Sequence, residues 1–229
     1  MRAPRLALPW YIHPAEGPRE WAWLAGQHVS FAVVNVHNGP GGENDPYYPD
    51  AIAGLGEIRL LGYVPVNYGQ RSPAEVTRDV QAWQRMYGLD GILFDELPSG
   101  EGSLSVCHDY AASARAAGIR FLAANPGVFP TAGHVRLFDV TCVFEGTAAD
   151  YSGFRHPAWA QNVPPSRLWH LVHSCDPAQL AGIRLAAGHR GAGHAYVTDR
   201  SMPNPWLGPP AAVSARLDTL NPPNALDAS

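Results

Sequence analysis

The chain has 229 residues, of which 46% are hydrophobic and 16% charged, so it can bury one sizeable core and is not a disordered polyelectrolyte. A formal net charge of -4 with scattered arginines argues against nucleic acid, whose phosphates need a basic stripe. Lysine is absent altogether, which removes Schiff-base and phosphate-loop lysine chemistry.

From the N-terminus, Met1-Arg2-Ala3-Pro4-Arg5 runs into a strand-like segment at 6–12 without a signal-length apolar region. Further apolar runs follow at 30–36, 60–66, 91–96, 120–125, 140–145, 168–173 and 195–198. Helical segments separate them, and strands alternating with helices are the signature of a parallel sheet built from βαβ units. Eight such strands close a barrel, so the expected fold is α/β, a single (β/α)8 TIM barrel over 1–229 with a loosely held Pro-rich tail from about 218.

The strongest helix spans 72–88. Ser72 caps it, Pro73 takes the first helical position, Glu75 completes a capping box, and Val76, Val80, Trp83 and Tyr87 form the apolar stripe. Two more are expected at 105–117, stopped by Gly118, and at 177–187, stopped by Gly188. Weaker helical segments lie at 16–27, 50–55, 149–160 and 210–217, while the Pro- and Gly-bearing stretch 126–136 predicts a short helix or none. Cys107, Cys142 and Cys175 are too far apart for a zinc knuckle or disulfide framework and read as buried thiols.

Active sites of such barrels lie at the carboxyl ends of the strands, so polar residues there need explaining. Strand four ends in Phe94-Asp95-Glu96 and strand six in Phe144-Glu145-Gly146. Strict alternation places Asp95 on a face with Leu93 and Gly91, and Glu145 on a face with Val143 and Thr141, with both phenylalanines turned out beneath the helices. The two carboxylates then converge over the mouth from either side of strand five. Paired carboxylates suit glycosidic cleavage, one attacking or stabilising the sugar centre and the other protonating the leaving oxygen. Asp95, Glu96 and Glu145 are therefore the expected catalytic set. A helix-capping or ion-pairing role is the alternative for any one acid.

Tyr11, Tyr63 and Tyr68 are candidates to line a sugar pocket, and Trp10 and Trp206 are further aromatics able to stack on a ring. Asn35, His37, Asn38, Arg71, Asn125 and Asp199 are expected substrate-binding residues, with turn-forming roles as the alternative for the polar loop residues and an Asp199-Arg200 ion pair at the rim as another. Neither the Gly39-Pro40-Gly41-Gly42 run nor the ten histidines match a phosphate-loop or zinc spacing, so no cofactor and no metal are expected.

Together, several motifs carry a resemblance. They are Pro9-Trp10-Tyr11-Ile12-His13-Pro14, Asn35 through Gly41, Gly62-Tyr63-Val64 with Tyr68 and Arg71, Asp90 through Glu96, Asn125-Pro126-Gly127, and Val143-Phe144-Glu145. The chain resembles the spherulin-4, or spherulation-specific family 4, proteins, grouped as glycoside hydrolase family 135. That resemblance implies a (β/α)8 barrel and, as in the fungal members, endo-cleavage of α-1,4-linked N-acetylgalactosamine within galactosaminogalactan. It also implies essential acids at an Asp-Glu pair after strand four and a Glu after strand six, matching Asp95, Glu96 and Glu145. Val36-His37 and Pro65-Val66-Asn67 depart from the family pattern, so the sugar contacts are expected to differ.

The expected partner is a polysaccharide or oligosaccharide substrate, met by a soluble monomer without a membrane span. Its location is open between secretion, with a signal peptide removed or absent here, and the cytoplasm. The competing functions are a carbohydrate-binding barrel without turnover and a phosphate-dependent barrel isomerase or aldolase.

Overall fold

Eight parallel strands close into a barrel in chain order, with β8 returning to pair with β1. The computed structural model describes residues 3–220. The strands are β1 (Arg5–Trp10), β2 (Val29–Val34), β3 (Leu60–Pro65), β4 (Gly91–Asp95), β5 (Phe121–Asn125), β6 (Val140–Thr147), β7 (Leu168–His173) and β8 (His194–Val197). Helices α1 (Pro18–Ala25), α2 (Tyr48–Ala53), α3 (Pro73–Tyr87), α4 (Leu104–Ala116), α5 (Ala132–Leu137), α6 (Ala148–Gly153), α7 (Leu180–His189) and α8 (Ala211–Leu220) follow the strands in turn. The expected (β/α)8 architecture is the one observed. No helix among the described residues is long and apolar enough to cross a membrane.

α3 forms as its sequence dictates. Ser72 Oγ accepts the Glu75 N–H, the Glu75 carboxylate accepts the Ser72 N–H, and Gly88 closes the helix at φ 68°. Its buried stripe lies on the sheet, where the Trp83 indole N–H donates to the Tyr63 carbonyl at 2.9 Å. Gly62 permits that approach, because a Cβ there would sit inside the Trp83 ring.

Three helices depart from expectation. α6 ends at Gly153, since Phe154 turns to extended backbone and Pro157 disfavours helix at His156; a separate 3₁₀ turn covers Ala158–Asn162. α7 begins after a 3₁₀ turn at Pro177–Gln179 and runs through buried Gly188 to His189, the left-handed turn falling instead at Gly191 (φ 81°). α8 continues to Leu220, past its expected end at 217, and the rest of the expected tail lies outside the described residues.

The consequential departure is in β6. Cys142 pairs with Trp169 and Phe144 with His170, leaving Val143 as an unpaired bulge residue. Val143 packs outward with Val135 and Leu168, and Phe144 outward with Tyr151 and Val172. Cys142 joins the main core with Trp169 and Leu171. Glu145 therefore shares the inner face with Cys142, not with Val143 and Thr141 as strict alternation requires. Two successive outward residues bring the carboxylate inward.

Strain also collects at one end of the barrel. Among the described residues, the non-glycine residues with positive φ are Asn38, Asn67, Tyr68, Glu96 and Ser174. All of them follow the carboxyl ends of strands, on the face where barrel chemistry sits. Gly62→Ala is expected to destabilise the fold by about 1–3 kcal/mol through overpacking against Trp83, read as a lower midpoint in urea denaturation.

Candidate active site

The inner residues at the tops of β4, β5 and β6 form one connected group. Asp95 is the register partner of Asn125 on the neighbouring strand, and both point into the mouth. The Asn125 amide nitrogen donates to Asp95 Oδ1 at 2.7 Å and to Glu145 Oε2 at 2.5 Å. Its orientation is fixed from the other side, because Asn125 Oδ1 accepts the Gly127 N–H at 3.0 Å. The two carboxylate oxygens on that shared nitrogen are thus at most about 5.2 Å apart, well short of the ~6.5–9.5 Å that leaves room for an inverting water.

The two acids differ in environment. Burial raises the Glu145 pKa from its ordinary 4.5 to about 7, and the charge of Asp95 adds to the rise, while hydrogen bonds from Asn125 and Trp206 partly oppose it. Asp95 is also raised by burial, and Glu96 adds to this. Three donors hold it down, namely the Tyr63 hydroxyl, the Glu96 backbone N–H and the Asn125 amide. At neutral pH the pair is best served by one shared negative charge on Asp95 and a proton on Glu145.

Around this pair stand two phenols. Tyr11, at the end of β1, is driven far above its usual pKa by burial and then by Asp95, and it meets Tyr63 edge-on at 5.6 Å. Tyr63 is raised by burial and by its contact with Asp95. Both remain protonated and can donate hydrogen bonds.

Glu96 contributes through its main chain. It sits at φ 54°, its N–H reaches Asp95, and its carbonyl accepts the Tyr68 N–H at 2.7 Å. Its side chain makes no hydrogen bond among those of the described residues. Tyr68, also at positive φ (51°), holds its ring 64% exposed beside this turn.

Several expected binding residues are engaged elsewhere. Arg71 donates to the Pro65 carbonyl and pairs with Asp79 at 2.8 Å, tying the end of β3 to α3. Asn35 Oδ1 accepts the Gly39 N–H at 2.8 Å and shapes the glycine loop, on which His37 and Asn38 are exposed. Asp199 does not pair with Arg200. Both of its carboxylate oxygens accept backbone N–H groups at the start of α8, from Ala211 and Ala212. Arg200 instead donates to the Pro209 carbonyl and Ser214 hydroxyl.

Trp206, named in the sequence only as a possible stacking ring, bonds directly to the catalytic candidate. Its indole N–H donates to Glu145 Oε1 at 3.3 Å, and its carbonyl accepts the Tyr11 N–H at 3.0 Å. The one sequence signal for it is a tryptophan in the Pro-rich loop after β8. Cys142, buried beneath Glu145, was likewise hidden by the bulge.

The profile of spherulation-specific family 4 matches residues 5–219. The chain belongs to this family. Spherulin-4 of Physarum polycephalum is 24% identical over 211 residues, covering 85% of this chain but 63% of that protein, so the chain spans less than two thirds of that relative's length. Among solved structures, Aspergillus clavatus Sph3 in complex with GalNAc superposes with a TM-score of 0.78 at 25% identity, over 94% of this chain and 96% of Sph3. Active domain 2 of a Pyrococcus furiosus chitinase, solved with chito-oligosaccharides, shares the fold alone, with a TM-score of 0.52 at 12% identity over 96% and 95% of the two chains. The family 4 resemblance read from the motifs is therefore correct, and so is the barrel it implies.

Two outcomes follow for this family 4 site. In Asn125→Ala the Glu145 pKa rises above about 7, since a donor to its ionised form is lost, and carboxyl-carbon NMR titration reads the shift directly. The raised Glu145 also lowers stability as pH climbs from 4.5 to about 7, because the unfolded chain releases that proton first. Glu145→Gln is accordingly more stable than wild type above pH 7, a difference that closes below about pH 4.5 in denaturation curves taken across pH.

Proposed function

We propose that this chain is an endo-acting, retaining glycoside hydrolase that cleaves α-1,4-linked N-acetylgalactosamine or galactosamine polysaccharide. The observation that carries the hydrolase reading is the Asn125 bridge, which holds oxygens of two differently tuned carboxylates no more than about 5.2 Å apart, too close for the ~6.5–9.5 Å of an inverting pair. The resemblance to Sph3, a structure with GalNAc, supports the choice of sugar.

In the first step Glu145 donates its proton to the glycosidic oxygen as the bond to the anomeric carbon breaks. Asp95 attacks that carbon and forms a glycosyl ester. In the second step ionised Glu145 takes a proton from water, the water oxygen attacks the anomeric carbon, and the Asp95 carboxylate leaves. Asn125 spans both acids as charge passes between them. Tyr11 and Tyr63 remain protonated and supply hydrogen bonds beside Asp95.

The reading is tested by incubating wild type, Asp95→Asn and Glu145→Gln with N-acetylated and deacetylated galactosamine polymers. Fragments are read by mass spectrometry and the anomer first released by NMR. Wild type is expected to release α-configured fragments, and each variant to lose roughly 10²–10⁴-fold in rate or more. Binding without fragments would instead establish a carbohydrate-binding barrel. Because Glu145 must carry its proton, kcat/KM is expected to fall as pH rises through about 7.

A further inference from the structure

A second feature lies among the loops that follow β4 and β5. The loop after β4 and the loop after β5 enclose, with the 3₁₀ turn at Ala158–Asn162, a cavity of about 610 Å³. Ser99 and Glu101 line it from the first loop, Phe129 and Thr131 from the second, Arg136 from α5 and Trp159 from the turn. Trp159 is 37% exposed and meets Phe129 edge-on at 5.6 Å. It also lines an adjoining cavity of about 450 Å³ that shares Ala132 and Arg136, so the ring stands between two open spaces.

The polar groups here are uncommitted. Among the hydrogen bonds and ion pairs of the described residues, the side chains of Ser99, Glu101, Arg136 and Trp159 take part in none. An exposed indole flanked by a free hydroxyl, carboxylate and guanidinium matches what a sugar ring presents, an apolar face edged by hydroxyls.

The covalent path ties this cavity to the acids. Ser99 lies four residues beyond Asp95, and Phe129 four beyond Asn125, so each is at most ~14 Å from its strand-end partner even in fully extended chain. A glycan bound at the acids needs only a few further units to span that distance to the Ser99 and Phe129 edge of the cavity.

We propose that the cavity capped by Trp159 is a distal glycan subsite, which holds a polysaccharide chain extending from the Asp95–Glu145 pair over the β4 and β5 loops. This rests on the proposed glycosidase reading for the identity of the chain, and it deepens that reading by naming where the polymer runs beyond the acids.

The test compares wild type, Trp159→Ala and Trp159→Phe on the full-length N-acetylated and deacetylated galactosamine polymers and on short oligosaccharides from them. Trp159→Ala is expected to lose about tenfold in kcat/KM on the polymer and little on the shortest substrate, with Trp159→Phe restoring most of the loss. Equal loss on long and short substrates, or no loss on either, would overturn the subsite. A second measurement does not need turnover. In the Glu145→Gln background, affinity electrophoresis in polymer-containing gels should show retardation that Trp159→Ala abolishes. Retardation dependent on Trp159, without hydrolysis by wild type, would uphold the subsite and sink the hydrolase reading. Retardation indifferent to Trp159, or none with either polymer, would overturn the subsite.

Discussion

One amide nitrogen governs the candidate site. Asn125 cannot accept from either acid at that position, because the Gly127 N–H has fixed its oxygen on the opposite side. It can therefore only donate, and it donates to two carboxylates at once. That sets their separation, opposes the rise in both pKa values, and makes a doubly ionised pair tolerable only in part. The rest of the mouth is arranged to break the symmetry between the two acids. Asp95 receives Tyr63 and the Glu96 main chain, whereas Glu145 has one further, longer bond from Trp206.

The barrel serves this by register. β4, β5 and β6 run side by side, with Asp95 in register with Asn125 and Glu145 further along β6, where its N–H donates to the Gly127 carbonyl, so the three side chains meet over the core without any long loop to position them. Loops supply the periphery: the β3 turn brings Tyr68 against Glu96, and the segment after β8 brings Trp206 across to Glu145 and Tyr11. Rigid elements thus hold the acids, and the strained turns hold what surrounds them.

Much of this was legible in the sequence because local signals agreed with the global fold. The capping box at Ser72, the left-handed Gly88 and the eight short apolar runs each have a cause within a few residues. Asp95 and Glu145 could be found as acids ending strands after a phenylalanine. The face Glu145 shares could not, because a parallel strand buried on both sides has no polar alternation to reveal a bulge among Thr141, Cys142, Val143 and Phe144. The structural partners of Arg71 and Asp199 are invisible in the sequence for a related reason. Their partners, Asp79 and the first amides of α8, are ordinary residues that only the folded chain brings to them. Asn125 was legible as a polar strand end, but its bridging position depends on the alignment of three strands.

The Val143 bulge gives β6 one residue more than its pairing with β7 uses. A barrel strand without its extra residue would pair regularly with β7 and keep an apolar complement on both faces, so the loss of a single codon need not cost the fold. It would also leave Glu145 on the inner face, because Cys142, Phe144 and Glu145 would then simply alternate inward, outward and inward. The strand can therefore lose one residue on the way to the site and still present the same acid to the mouth.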